Sequence, residues 1–138
     1  MTAPAFVRSA GERDLPAIAS FVRDDGTAMR DLLSAPHSEF VVADDGTEIV
    51  GMGFARMVGE GTAQLFHLYV DPVARGVGNG RMLVEELATC FPDARRMLTE
   101  ITQDGDSSAA FLLKLGFRER DRQNEDGIET LTLSRDLV

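Results

Sequence analysis

A mixed α/β fold, one sheet with helices on both faces, is what this 138-residue chain predicts, and three observations carry the prediction. Strand-like runs and runs of helical periodicity alternate in the order β, α, α, three β, α, β, α, two β. Gly, Pro and Asp punctuate most junctions between them. No linker, internal repeat or low-complexity stretch interrupts the series, so one domain over residues 1–138 is expected.

Residues Ala5–Ser9 form a first strand, and Asp14 is expected to cap the helix that follows, with Pro16 tolerated in its first turn. Leu15, Ile18, Ala19 and Val22 fall on one face of that helix, and Gly26 closes it. A short second helix is expected over Thr27–Leu33. The runs Glu39–Ala43 and Glu48–Met57 flank Asp45-Gly46 and predict a hairpin. Gly51 and Gly53 inside the second run signal a bulge or a close approach of backbone. Thr62–Val70 is a strand, Met82–Phe91 an amphipathic helix and Met97–Thr102 a further strand. Asp106 or Ser107 caps a helix over Ser108–Leu115, and Gly116 stands at its C-terminal cap. Phe117–Arg122 and Glu129–Arg135 complete the sheet; the alternating charges of Arg118–Arg122 read as a solvated strand edge.

Composition narrows the function. With 43% hydrophobic residues the chain can fill a globular core, and no apolar run approaches the ~20 residues of a membrane span. Residues Met1–Asp14 lack the apolar core of a secretory signal. The net charge of −9 disfavours sequence-independent binding of nucleic acid or anionic membrane and suits a cationic acceptor. Cys90 is the single cysteine, on the apolar side of a helix, which points to a reducing, cytoplasmic setting. The two histidines and one cysteine show no metal-ligand spacing, so no metal is expected.

The segment Arg75-Gly76-Val77-Gly78-Asn79-Gly80-Arg81 says most about chemistry. It lies between a strand ended by Asp71-Pro72 and a helix, the arrangement that turns backbone N–H groups toward a phosphate. Glycines permit close approach, the helix N-terminus adds roughly half a positive charge, and the two arginines can reach phosphate oxygens. The glycine spacing does not fit the dinucleotide fingerprint, and no Gly-Lys-Ser/Thr follows as in a nucleotide P-loop. What remains, Val70-x-Pro72-x-x-Arg75-Gly76-x-Gly78-x-Gly80, resembles the pyrophosphate-binding motif of the GNAT superfamily of acyl-CoA-dependent N-acetyltransferases. Asp14-Leu15, the Asp45-Gly46 hairpin with Ile49-Val50-Gly51, Leu68-Tyr69-Val70 and Lys114-Leu115-Gly116-Phe117 extend the resemblance over essentially the whole chain.

The resemblance implies a mixed, mostly antiparallel sheet of about seven strands flanked by four helices. It implies acetyl-CoA as co-substrate and an amine acceptor, small molecule or peptide, and it allows a homodimer through the C-terminal strands. Leu68, Tyr69 and Val70 match the strand whose backbone holds the pantetheine amides, in a gap opposite the strand Met97–Thr102. Arg75, Gly76, Val77, Gly78, Asn79, Gly80 and Arg81 match the pyrophosphate loop, and Ser107 stands near the cofactor arm. Where many family members carry a proton-donating tyrosine this chain has Leu112, and its only tyrosine is Tyr69. A thiol of pKa ~8.5 still leaves tolerably as thiolate, and one acid–base residue contributes ~10²–10⁴ in rate. For the base that an amine needs, Gln64 and Phe66 are useless, which leaves His67 and Glu100 as catalytic candidates. Strand alternation points His67 away from the face of Gln64 and Phe66 unless a bulge intervenes. His37, in a loop, is a further histidine within reach of the acceptor side. Three readings follow: an N-acetyltransferase working by direct transfer, a non-catalytic acyl-CoA-binding module, and a partner-binding domain without cofactor.

Overall fold

The structure, a computed structural model, describes residues 5–22, 27–103 and 108–137. Seven strands, β1 (Phe6–Ser9), β2 (Ser38–Asp44), β3 (Ile49–Gly59), β4 (Thr62–Val70), β5 (Arg96–Gln103), β6 (Arg118–Glu125) and β7 (Ile128–Asp136), form one sheet in the order β1-β2-β3-β4-β5-β7-β6. Every pairing is antiparallel except that of β4 with β5. The helices are α1 (Leu15–Val22), α2 (Thr27–Leu32), α3 (Asn79–Thr89) and α4 (Ser108–Lys114). Fold class, strand number and helix number are those the sequence predicts.

Two apolar clusters show how the helices are divided. Leu15 and Ile18 of α1 and Met29 of α2 pack on Phe40, Val42, Met52 and Phe54, one face of β2–β3. Leu83, Val84 and Leu87 of α3 and Leu112 of α4 pack on the other face, against Ala63, Leu65, Met97, Leu131 and Leu133. β2 and β3 are buried on both sides, so their sequences lose the polar alternation of a half-solvated strand. β7 keeps it: Leu131 and Leu133 are buried while Thr130 and Thr132 lie on the opposite face. Of the glycines in β3, Gly51 is required for space and Gly53 is closely packed. A Cβ at Gly51 would stand 2.8 Å from Tyr69 O, and one at Gly53 would stand 3.0 Å from Leu87 Cδ1.

Three local expectations are corrected. Asp14 closes a 3₁₀ turn, Glu12–Asp14, ahead of α1, and its carboxylate turns back to accept from Gly11 N–H at 2.8 Å. That carboxylate is also gripped by Arg8, which donates to both its oxygens at 2.9 and 2.8 Å and holds it below the usual carboxylate range. The third helix begins at Asn79 rather than Met82, because Gly78 is its N-cap. β6 runs on to Glu125 and is exposed throughout, an edge strand whose Arg122 pairs with Glu119 and Glu129 on one side of the sheet. Gly26, Asp106 and Ser107 lie outside the described residues. Among the described residues no helix is long and apolar enough to cross a membrane.

Candidate active site at the fork between β4 and β5

The parallel ladder between β4 and β5 consists of Thr62↔Arg96, Ala63↔Met97 and Gln64↔Leu98, and there it stops. Beyond it β4 stays on β3, β5 stays on β7, and a gap opens between them. The antiparallel ladder with β3 shows which groups face that gap. Asp71 N–H donates to Val50 O at 2.8 Å, so Asp71 is a hydrogen-bonded pair position, and Gly51↔Val70 and Gly53↔Leu68 are the intervening ones. Alternation therefore turns the N–H and C=O groups of Leu68 and Val70 away from β3 and into the gap.

A bulge settles the orientation of His67. Phe54 pairs with His67 and Ala55 with Leu65, which leaves Phe66 as the extra residue. Ala63 and Leu65 face the α3 side before the bulge, and Leu68 and Val70 face it afterwards. Phe66 and His67 thus share the opposite face, with ring centroids 6.3 and 6.2 Å from that of Phe54. His67 is half-buried there, and burial holds its pKa below 6.5, so the imidazole is neutral at neutral pH. Glu100 is on the same face, since Leu98 pairs with Gln64 and Glu100 lies two residues on. It is exposed, across the gap from β4.

Tyr69 is on that face too, but its ring stacks on Phe21 of α1 at 4.6 Å and 22°. Leu112 is 3% exposed and belongs to the core beneath α4. His37 sits just before β2, whose first residue pairs with Arg56 at the far end of β3. From Gln64, the partner of Arg56 on β4, to Val70 is about 20 Å of strand, so His37 lies level with the last rung of the ladder and far from the Val70 end of the gap. It lines a groove with Glu39, Met57, Cys90 and Phe91.

At the end of β4 a 3₁₀ turn, Pro72–Ala74, leads into the glycine segment, and its residues divide by role. Gly76 and Gly78 have φ of +83° and +91° with open space around them, so their backbone conformation is what needs glycine. Met82 N–H is bonded to Gly78 O at 3.0 Å, which leaves the N–H groups of Asn79, Gly80 and Arg81 without helical acceptors. Arg75 Nε donates to Val70 O at 2.9 Å, which ties the exposed guanidinium to the end of β4. Arg81 is exposed one turn into α3; Val77 is also exposed. Asn79 and Gly80 are buried, so what they can offer an anion is main-chain N–H. Asn79 Nδ2 donates to Ala74 O at 3.0 Å and braces the turn, and a Cβ on Gly80 would stand 2.8 Å from Phe111 Cζ. The cradle can hold an anion at its main-chain N–H groups, beside two arginines. Among the described residues no group of three or more His, Cys, Asp or Glu is placed to hold a metal ion.

Sequence reasoning missed Thr99, whose hydroxyl donates to Leu65 O at 3.0 Å where the ladder ends. A threonine in a strand carries no sign of its partner.

Residues 8–117 match the family model described as "Acetyltransferase (GNAT) family". A peptidyl-lysine N-acetyltransferase, YjaB, of Salmonella typhimurium is 32% identical over 77 residues, which cover 56% of this chain and 49% of that protein. The matched region thus spans about half the length of that relative. Among solved structures, Ard1 from Thermoplasma volcanium superposes with a TM-score of 0.86 at 18% identity, covering 99% of both chains. The structure of yncA from Salmonella typhimurium with its cofactor acetyl-CoA gives 0.84 at 16% identity, covering 99% of this chain and 95% of that one. At these identities the structural likeness speaks to the fold.

Proposed function

We propose that this chain, which belongs to the acetyltransferase (GNAT) family, transfers an acetyl group from acetyl-CoA to a primary amine while both are bound. The observation that carries the proposal is the continuity of two features. An anion cradle at Gly76–Arg81 adjoins a length of strand whose Leu68 and Val70 main-chain groups face an open gap. The first suits a pyrophosphate and the second an amide-bearing arm that adds to the strand edge. In the proposed complex Arg75 and Arg81 meet phosphate oxygens, and a main-chain N–H in the gap polarises the thioester carbonyl.

The amine nitrogen attacks the carbonyl carbon, the C–N bond forms, and the C–S bond breaks with its electron pair on the coenzyme A sulfur. The amine gives its proton to a base. His67 is our first assignment, because the bulge brings it to the face shared with Glu100 and burial keeps it unprotonated at neutral pH. Glu100 is the second. No acid is assigned, since Leu112 is apolar and buried and Tyr69 is stacked on Phe21. Positioning of the amine against a polarised thioester provides the main acceleration. The acceptor class is a primary amine, and the partial match to a peptidyl-lysine N-acetyltransferase supports lysine-containing peptides as the first to test.

The same Leu112 favours a second reading, an acyl-CoA-binding module without turnover. Calorimetry with acetyl-CoA, followed by assay of amine-dependent thiol release on lysine peptides and small amines, separates the two. Micromolar binding with turnover is expected. Binding without turnover on any amine supports the second reading, and an absence of binding overturns both.

A further inference from the structure

The position that follows the last rung of the β4–β5 ladder carries a contact of another kind. Thr99 is 6% exposed, and its Oγ1 donates to Leu65 O at 3.0 Å. In a parallel ladder that ran on, a backbone N–H of β5 would take that carbonyl. Here a side chain takes it, and the strands part. The bulge at Phe66 follows at once, and Leu68, the first residue to present main-chain groups to the gap, comes next but one after it. Packing alone does not ask for a hydroxyl here. Met97 and Ile101, two residues to either side on the same strand face, belong to the apolar core, and a valine would fill the same volume. The polar contact is the reason for threonine, because a buried carbonyl without a donor is costly and would draw in either a further ladder bond or water.

Resting on the acyl-CoA reading above, we propose that Thr99 is a positioning residue that pins the fork. Its hydroxyl sets the separation of β4 and β5 where the gap begins, and so the place at which a pantetheine arm lies against Leu68 and Val70. It touches neither the glycine turn nor the nucleotide that would bind there.

Two ligands separate this role from a general structural one. Acetyl-CoA spans the cradle and the gap, whereas adenosine 3′,5′-bisphosphate has the nucleotide and lacks the arm. By calorimetry, Thr99→Val is expected to bind acetyl-CoA about tenfold more weakly and adenosine 3′,5′-bisphosphate within about twofold of the wild type. Thr99→Ser, which keeps the hydroxyl and loses a buried methyl group, should bind both as the wild type does. If the valine variant does not fold, Thr99→Ser and Thr99→Ala, which differ only in the hydroxyl, make the same comparison. Equal weakening of both ligands, or wild-type acetyl-CoA affinity without the hydroxyl, would overturn the proposal while leaving the acyl-CoA reading intact. Failure of the wild-type protein to bind acetyl-CoA would overturn that reading as well.

Discussion

On one side of the fork, β2 and β3 are covered on both faces, by α3 on one and by α1 and α2 on the other. On the other side β5 and β7 bury only the face toward α3 and α4, β6 is exposed throughout, and the opposite face contributes to neither apolar cluster among the described residues. That second face carries Glu100, Thr102, Thr130, Thr132 and Asp121, in rows set by the pairings Glu100↔Thr132↔Asp121 and Thr102↔Thr130. The difference separates stability from access. The doubly covered β2–β3 pair carries β4, with its bulge and its main-chain groups, as one wall of the gap. The half-covered side leaves a polar surface beside Phe66 and His67, on which a second substrate can rest without displacing core residues.

Among substitutions, the largest effect is expected at Phe54. It is fully buried on the doubly covered side, so Phe54→Ala should cost about 3–5 kcal/mol in denaturant unfolding. Gly51→Ala is next, at roughly 1–3 kcal/mol, because its Cβ meets a backbone oxygen that cannot move without shifting β4. By contrast, Gly76→Ala in the open cradle meets nothing within 4 Å and should cost only the roughly 1–2 kcal/mol of its positive φ. Equal costs for the two glycines would contradict the division between a packed wall and an open cradle.

His67 gives an effect of pH. Its pKa is lowered by burial, so the unfolded chain takes up a proton near pH 6.5 while the native state resists it. The stabilising contribution is complete above pH 6.5 and is lost as pH falls through 6.5 toward the depressed native value. Unfolding of the wild type and of His67→Asn, compared at pH 7.5 and 5.5, should show a steeper acid loss in the wild type. Turnover should fall on the same acid side if His67 is the base. The smallest effect is expected at Thr132→Ala on the open face, within about 0.5 kcal/mol. A loss there like that of Phe54 would mean that the face is structural rather than free for a ligand.

Much of the fold was legible because its punctuation is local. Thr62–Val70 is bounded by Gly59-Glu60-Gly61 and Asp71-Pro72, and the strand has the predicted limits. The Asp45-Gly46 hairpin and the charged edge strand were equally plain. The start of α3 was misplaced because Gly80 looks like loop; it is helical and glycine only because Phe111, on a distant helix, packs against it. The cradle could be found from its glycines, yet the roles of Asn79 and Gly80 within it could not, since burial decides them. The bulge was invisible in Leu65-Phe66-His67-Leu68-Tyr69, a run without clean alternation, although the face of His67 depends on it. Thr99 was missed for the same reason, since its partner is chosen by the register of a parallel pairing between segments 34 residues apart.

Hydrogen–deuterium exchange with and without acetyl-CoA locates the acyl-CoA site. Slower exchange on binding is predicted at the N–H groups of Leu68 and Val70 and over Gly76–Arg81, with β6 unchanged. Protection confined to other elements, or no protection at saturating acetyl-CoA, would contradict the assignment of the fork and its glycine cradle as the acyl-CoA site.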